Sequence, residues 1–231
     1  MSNPRHPPAP PEPEFRFGAS LLVLKLGKGE KNRKWPRLKV QKWMMSAKGK
    51  LLLIVGPSGA GKDTLIDGLR SAVREDDGFV FPVRLITRSA DAGGEAHLAI
   101  TTKQFEQMQA AGRFAFHWHA HDLSYAIPPS FDDDLEKGRV VVINVSRAII
   151  EEARRRYPQT HVINVTIKPE ILEQRLRDRG RESEAEIQER IERSQMFDLD
   201  GENMTEFANN LSIEEGREEF VSLVREIAPR E

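Results

Sequence analysis

Apolar residues in this chain fall into short solid runs separated by amphipathic stretches. Leu51 to Val55 (LLLIV) is apolar at every position, the mark of a strand buried on both faces of a parallel sheet. Arg139 to Val145 and His161 to Ile167 read as two further buried strands. After the first run Leu65, Ile66 and Leu69 recur at helical spacing, predicting a helix over about Gly61 to Glu75. Phe79 to Thr87 (FVFPVRLIT) predicts a strand, placed at an edge because Pro82 lies inside it. Ser89 to Glu95 reads as a polar loop, and Thr101-x-x-Gln104 as a capping box opening a helix through Ala111. Phe114 to Ile127 alternates loosely and predicts a hairpin. Helices are predicted over Ser130 to Lys137, Ser146 to Tyr157, Glu170 to Arg179, Ser183 to Met196 and Ile213 to Ile227, with a short last strand at Phe207 to Leu211. Pro169 opens one of these helices and Gly180 ends it. Strands alternating with helices call for an α/β fold, a parallel core sheet covered on both faces.

That pattern starts only at Gly49. Residues 1–14 are proline-rich and predict disorder or polyproline II. Ala19 to Leu26 is apolar but too short to span a bilayer. Lys25 to Lys50 is basic, with Trp35 and Trp43 interspersed; it reads either as a poorly ordered leader or as a tail that touches anions or lipid headgroups. Residues 1–48 hold eleven Lys or Arg against three Glu, an excess of eight positive charges, so the remainder carries nine net negative charges in a chain of net charge −1. The break predicts a leader over 1–48 and one domain over 49–231. Prolines and acids come first and no cleavage site follows, which argues against a secretory signal; Met44 and Met45 are a second candidate start of translation. A net charge near zero gives no reason to expect bulk nucleic-acid binding. No apolar run reaches the length of a membrane span. The absence of cysteine excludes disulfides and thiolate metal sites, and a cytoplasmic location is expected.

The chemistry concentrates behind the first run. Gly56-Pro57-Ser58-Gly59-Ala60-Gly61-Lys62 has the spacing of a P-loop between a strand and a helix. Its glycines let successive N–H groups turn toward phosphate oxygens, and the helix aims its positive end at the same anion. Lys62 supplies a mobile charge for the outer phosphates of ATP. The usual next residue is Ser or Thr, whose hydroxyl binds Mg2+. Here it is Asp63, followed by Thr64. Asp63 reads as a hard oxygen ligand for Mg2+, or as an ordinary acid of a helix first turn.

Three other groups stand out. Arg88 follows a predicted strand and can bind a phosphate in bidentate fashion, or lie solvated on the surface. Arg175, Arg177, Arg179, Arg181, Arg190 and Arg193 crowd two adjacent helices beside the acidic stretch Glu182 to Glu186. They read as a cationic lid over a migrating phosphoryl group, or as ordinary Glu–Arg pairs. His117, His119 and His121 would share one strand face, as a phosphate-binding wall or a metal site.

From Gly49 to the C-terminus the order of P-loop, Arg88, hairpin and arginine lid resembles guanylate kinases. Thr87-Arg88 resembles the segment whose Arg holds the acceptor phosphate, and Gly94-Glu95 the pair that follows it. Arg175, Arg179 and Arg190 fall on lid arginines. The guanine readers are replaced. Asp91 stands for the second phosphate-binding Arg, His97 for a Tyr, His117 for the guanine-reading Glu before Trp118. Ala126-Ile127 stands where Gly and a hydroxyl residue are usual, and Asn144 for an Asp. With Asp63, Glu95-x-His97, Trp118-His119-Ala120, Asn144-x-Ser146-Arg147 and Arg179-Gly180-Arg181-Glu182, the chain most resembles the ribose 1,5-bisphosphate phosphokinases, the phosphonate-catabolism relatives of guanylate kinase.

The resemblance implies a P-loop NTPase three-layer α/β/α fold with a guanylate-kinase-like acceptor subdomain over about 86–128 and an arginine lid over about 179–190. It implies an ATP- and Mg2+-dependent kinase converting ribose 1,5-bisphosphate to 5-phosphoribosyl 1-diphosphate, with a nucleoside monophosphate kinase of guanylate kinase type as the alternative. The P-loop Gly56 to Lys62 would hold ATP, and Asp63 and Thr64 the magnesium. Lys62, Arg179, Arg181 and Arg190 would neutralise the transferring phosphoryl. Arg88, His97, His119, Tyr125 and Arg147 would shape the site of the small sugar phosphate.

Overall fold

The computed structural model describes residues 49–89, 97–120, 122–180, 182–195, 199 and 201–228. The expected leader, Asp91, Gly94, Glu95, His121 and Arg181 lie outside the described residues. In chain order the first elements are strand β1 (Lys50–Val55), helix α1 (Lys62–Ala72), and strands β2 (Phe79–Val80), β3 (Arg84–Ile86) and β4 (His97–Ala99). Helix α2 (Thr102–Ala110), strands β5 (Phe116–Ala120) and β6 (Leu123–Ile127), short helix α3 (Asp132–Glu136) and strand β7 (Val140–Asn144) follow. Then come helix α4 (Ile150–Arg156), strand β8 (Thr160–Thr166), helices α5 (Pro169–Arg179) and α6 (Glu184–Gln195), strand β9 (Met204–Ala208) and helix α7 (Ile213–Ile227).

Five parallel strands, in the order β2-β7-β1-β8-β9, form the core sheet. Alternation along β1 explains its uninterrupted apolar run. Leu51, Leu53 and Val55 pack on one face with Val141, Ile143, Ile150 and Ala153. Leu52 and Ile54 pack on the other with Leu65, Ile66 and Leu69 of α1 and Phe220 and Val224 of α7. Both faces are thus covered, as the continuous hydrophobic strands require. The P-loop after β1 and Arg147 after β7 emerge together at the carboxyl edge, where open α/β sheets build their sites.

A second sheet, β4-β3-β6-β5, carries one parallel pair and two antiparallel ones. It corrects the expectation of one strand over Phe79 to Thr87. That stretch divides at Pro82: β2 joins the core edge beside β7, and β3 leaves for the second sheet. Proline has no N–H for a ladder, so the break falls where the pairing partner changes. The last strand runs over Met204–Ala208, three residues ahead of its expected place. Asn209 and Asn210 end it; Asn210 Oδ1 accepts from the backbone of Lys168. The hairpin and the Thr101 capping box stand as expected. Among the described residues no helix is long and apolar enough to cross a membrane.

Candidate functional site

The P-loop closes on itself. Gly61 takes φ of +87° just before α1, and Gly56 takes +143° just after β1. A Cβ on Gly56 would stand 2.2 Å from the carbonyl oxygen of Val165, so no side chain fits there. Lys62 curls back and donates from Nζ to the carbonyls of Gly56 at 2.8 Å and Pro57 at 2.7 Å. Burial pulls its ammonium down to about 8, against the pull of Asp63; Arg84 and Arg147 lower it further. A buried cation whose hydrogen bonds among the described residues go to carbonyl dipoles fits an incoming polyphosphate. Asn209, itself buried, donates from Nδ2 to the carbonyl of Ala60 at 2.7 Å and pins the loop from below.

Asp63 projects from the first turn of α1. Its Oδ1 accepts from Asn144 Nδ2 at 2.6 Å and from Arg84 Nη2 at 3.5 Å. The carboxylate is half exposed, and Thr64 beside it is partly exposed. Among the described residues no three His, Cys, Asp or Glu side chains stand together as a metal cage. A magnesium at Asp63 and Thr64 therefore fits only as an ion that shares its shell with phosphate oxygens and water, which is how this ion prefers to bind.

Arg179 and Arg190 converge on one carboxylate. Glu182, with only 7% of its side chain exposed, pairs with Arg179 Nη2 and, at 3.4 Å, with Arg190 Nη2. Arg190 then reaches the P-loop, donating from Nη1 to Ser58 Oγ at 2.5 Å. The other arginines of this stretch divide. Arg177 pairs with Glu173 and Glu184 and Arg193 with Glu189, ordinary exposed ion pairs. Arg175 turns to the carbonyl of Leu211.

The second sheet supplies a wall. Register places Arg84 opposite His97, and Ile86 opposite Tyr125. Tyr125 faces Trp118 across the hairpin, their rings 5.3 Å apart and parallel within 3°. Arg84, His97, Tyr125 and Trp118 thus share one face. His119 lies on the opposite face, its Nδ1 3.0 Å from Ser124 Oγ and its ring against Phe105 of α2. His117 is on that outer face too, 3.0 Å from Gln109 of α2. Arg88 has a buried Nε with no hydrogen-bond partner among the described residues. Burial holds Arg147 below its usual range.

Of the residues expected from sequence, Lys62, Asp63, Arg190 and Arg147 are brought together around the P-loop. His97 and Tyr125 share the wall. His119 is not brought to the face that carries Tyr125. Arg84 and Asn209 were not anticipated, and Glu182 was named in the lid motif without its pairing role. The signal for Arg84 was a charge inside a strand-like run, and for Asn209 a buried amide just after the last strand.

The guanylate kinase family model matches residues 48–219. A ribose 1,5-bisphosphate phosphokinase of Azotobacter vinelandii is 41% identical over 180 residues, covering 78% of this chain and 98% of its own. A bifunctional ribose 1,5-bisphosphokinase-thymidine phosphorylase of Roseobacter denitrificans is 46% identical over 177 residues; the match covers 76% of this chain and only 26% of that relative, about a quarter of its length. A solved guanylate kinase of Anaplasma phagocytophilum aligns with a TM-score of 0.56 at 17% identity, over 79% of this chain and 87% of its own, which shows the shared fold.

Proposed function

Because the chain belongs to the guanylate kinase family, we propose that it transfers the γ-phosphoryl of ATP to ribose 1,5-bisphosphate, giving ADP and 5-phosphoribosyl 1-diphosphate. The work is expected to take place in the cytoplasm, within residues 49–231. The observation that carries the reading is the joining of an intact, lysine-bearing P-loop, with Arg190 docked on Ser58, to a wall that keeps Arg84 and Tyr125. The position of the guanine-reading Glu holds His117 instead, which turns to Gln109. A site that reads a base by hydrogen bonds discriminates poorly once those partners are gone.

In the proposed reaction an ionised oxygen of the 1-phosphate attacks the γ-phosphorus, and the bond to the β–γ bridging oxygen breaks. No general base is required, because the nucleophile already carries its charge. The protein contributes position and compensating charge. Backbone N–H groups of the loop Gly56 to Lys62, Pro57 excepted, hold the β-phosphate. Lys62 leaves its carbonyl partners for the β- and γ-oxygens. Arg179 and Arg190, joined by Arg181, approach the migrating group from the lid. Arg88, His97, Tyr125 and Arg147 hold the acceptor, with His119 supporting the wall from behind. Asp63 and Thr64 would hold magnesium, which would supply neutralising charge for the transferring phosphoryl.

ADP release, followed by a coupled assay with ribose 1,5-bisphosphate, with GMP and with no acceptor, tests this reading. Turnover with the sugar and none above background with GMP is expected. Turnover with GMP alone would make the protein a nucleoside monophosphate kinase.

A further inference from the structure

Arg84 stands where the donor and acceptor halves of the site meet. Its Nη1 donates to the carbonyl of Asn144 at 3.2 Å, at the end of β7. Its Nη2 reaches Asp63 at 3.5 Å, in the magnesium position of the P-loop. Its guanidinium lies over the ring of Tyr125, 5.8 Å from the centroid, and its strand neighbour in β4 is His97. The side chain is 12% exposed and lines a cleft together with Asp63.

Two features argue against a mere brace for Asp63. Asn144 already holds the same Oδ1 at 2.6 Å, a much shorter bond than the 3.5 Å from Arg84. A contact that long is weak and is easily exchanged for a phosphate oxygen. The second feature is charge. Lys62, Arg88 and Arg147 lie near enough for electrostatic coupling within the same cluster as Arg84 and Asp63. This concentration of positive charge suits an anionic ligand.

We propose that Arg84 is a direct ligand of the acceptor's 1-phosphate and the residue that selects for it. This rests on the substrate reading above. The attacking phosphate must lie next to the γ-phosphate end of ATP to be in line with it, and Arg84 of the acceptor wall reaches Asp63 beside the P-loop. Its planar fork matches two phosphate oxygens at once, which a lysine cannot.

The test compares binding of ribose 1,5-bisphosphate with that of ribose 5-phosphate, which lacks the selected group, by calorimetry without ATP or metal. Wild-type protein should prefer the bisphosphate by about tenfold or more, the scale of one charge-assisted contact. In Arg84→Gln that preference should collapse to about twofold, and Arg84→Lys should restore only part of it, while Mg-ATP affinity stays within about twofold of wild type. A preference unchanged in Arg84→Gln would overturn the proposal, as would a loss confined to Mg-ATP. A crystal structure of the wild-type complex with ribose 1,5-bisphosphate gives the same answer without a variant: the guanidinium at hydrogen-bond distance from the 1-phosphate supports it, and the guanidinium still on Asp63 with that phosphate elsewhere overturns it. Wild-type protein that does not bind the bisphosphate would instead overturn the substrate reading on which the proposal stands.

Discussion

Lys62 carries a charge into a place with little water, and this makes it a reporter of its ligand. Its ammonium sits at about 8 in the free protein, below the ordinary 10.5, chiefly because it is buried. The folded pKa lies below the unfolded one, so between these values the unfolded chain binds more protons. Stability of the free protein should therefore rise with pH across that window, and the cost of burial is fully present below pH 8. A polyphosphate reverses the balance by favouring the charged form. ATP binding at pH 8 should take up about half a proton, and almost none at pH 6.5. Calorimetry in buffers of different ionisation enthalpy measures this uptake, and equal heats at pH 8 would contradict the assignment. Lys62→Ala should cut turnover at saturating ATP by at least about 10²-fold, as loss of a charge-stabilising donor does, yet leave the free protein's melting temperature undiminished.

Two elements carry the geometry that these residues exploit. The P-loop needs its glycines for space as well as for backbone freedom. Gly56→Ala would drive a methyl into the Val165 carbonyl, 2.2 Å away, at a φ of +143°. Overpacking and backbone strain together should cost about 3 kcal/mol in urea unfolding. The proposed lid turns on Glu182. A nearly buried carboxylate between Arg179 and Arg190 sets the spacing of two guanidiniums that would otherwise repel. Glu182→Ala should lower kcat by about tenfold and Glu182→Asp should recover part of it, measured at saturating substrates. The crowding of arginines on two adjacent helices was legible in the sequence. The reach of Arg190 to Ser58, 132 positions earlier, was not, because only the folded chain brings α6 over the P-loop.

At the scale of the molecule, the three-layer fold was legible wherever burial is complete. The runs of β1, β7 and β8 are apolar throughout because both faces of their sheet are covered. The second sheet was legible in its hairpin but not in its edges. Pro82 is compatible with an edge strand or with a break, and local sequence does not decide which neighbour β3 will find. β4 is three residues long and exists through its pairing with Arg84 to Ile86. The same limit applied to the acceptor wall. Three alternating histidines promised a shared face, and His117 and His119 do share one, but register turns it away from Tyr125. Arg84 entered the cleft through a strand switch that no motif announced. In the proposed reaction the two sheets divide the labour, with the parallel core presenting the phosphoryl donor and the smaller sheet the acceptor.

That division is tested most directly by ³¹P NMR of the full chain incubated with Mg-ATP and an equimolar mixture of ribose 1,5-bisphosphate and GMP. The expected spectrum gains the coupled doublets of a sugar 1-diphosphate as ADP accumulates, with the GMP resonance untouched. Growth of GDP with the sugar bisphosphate unchanged would contradict the account and place a base-reading site where the wall of Arg84 and Tyr125 now stands.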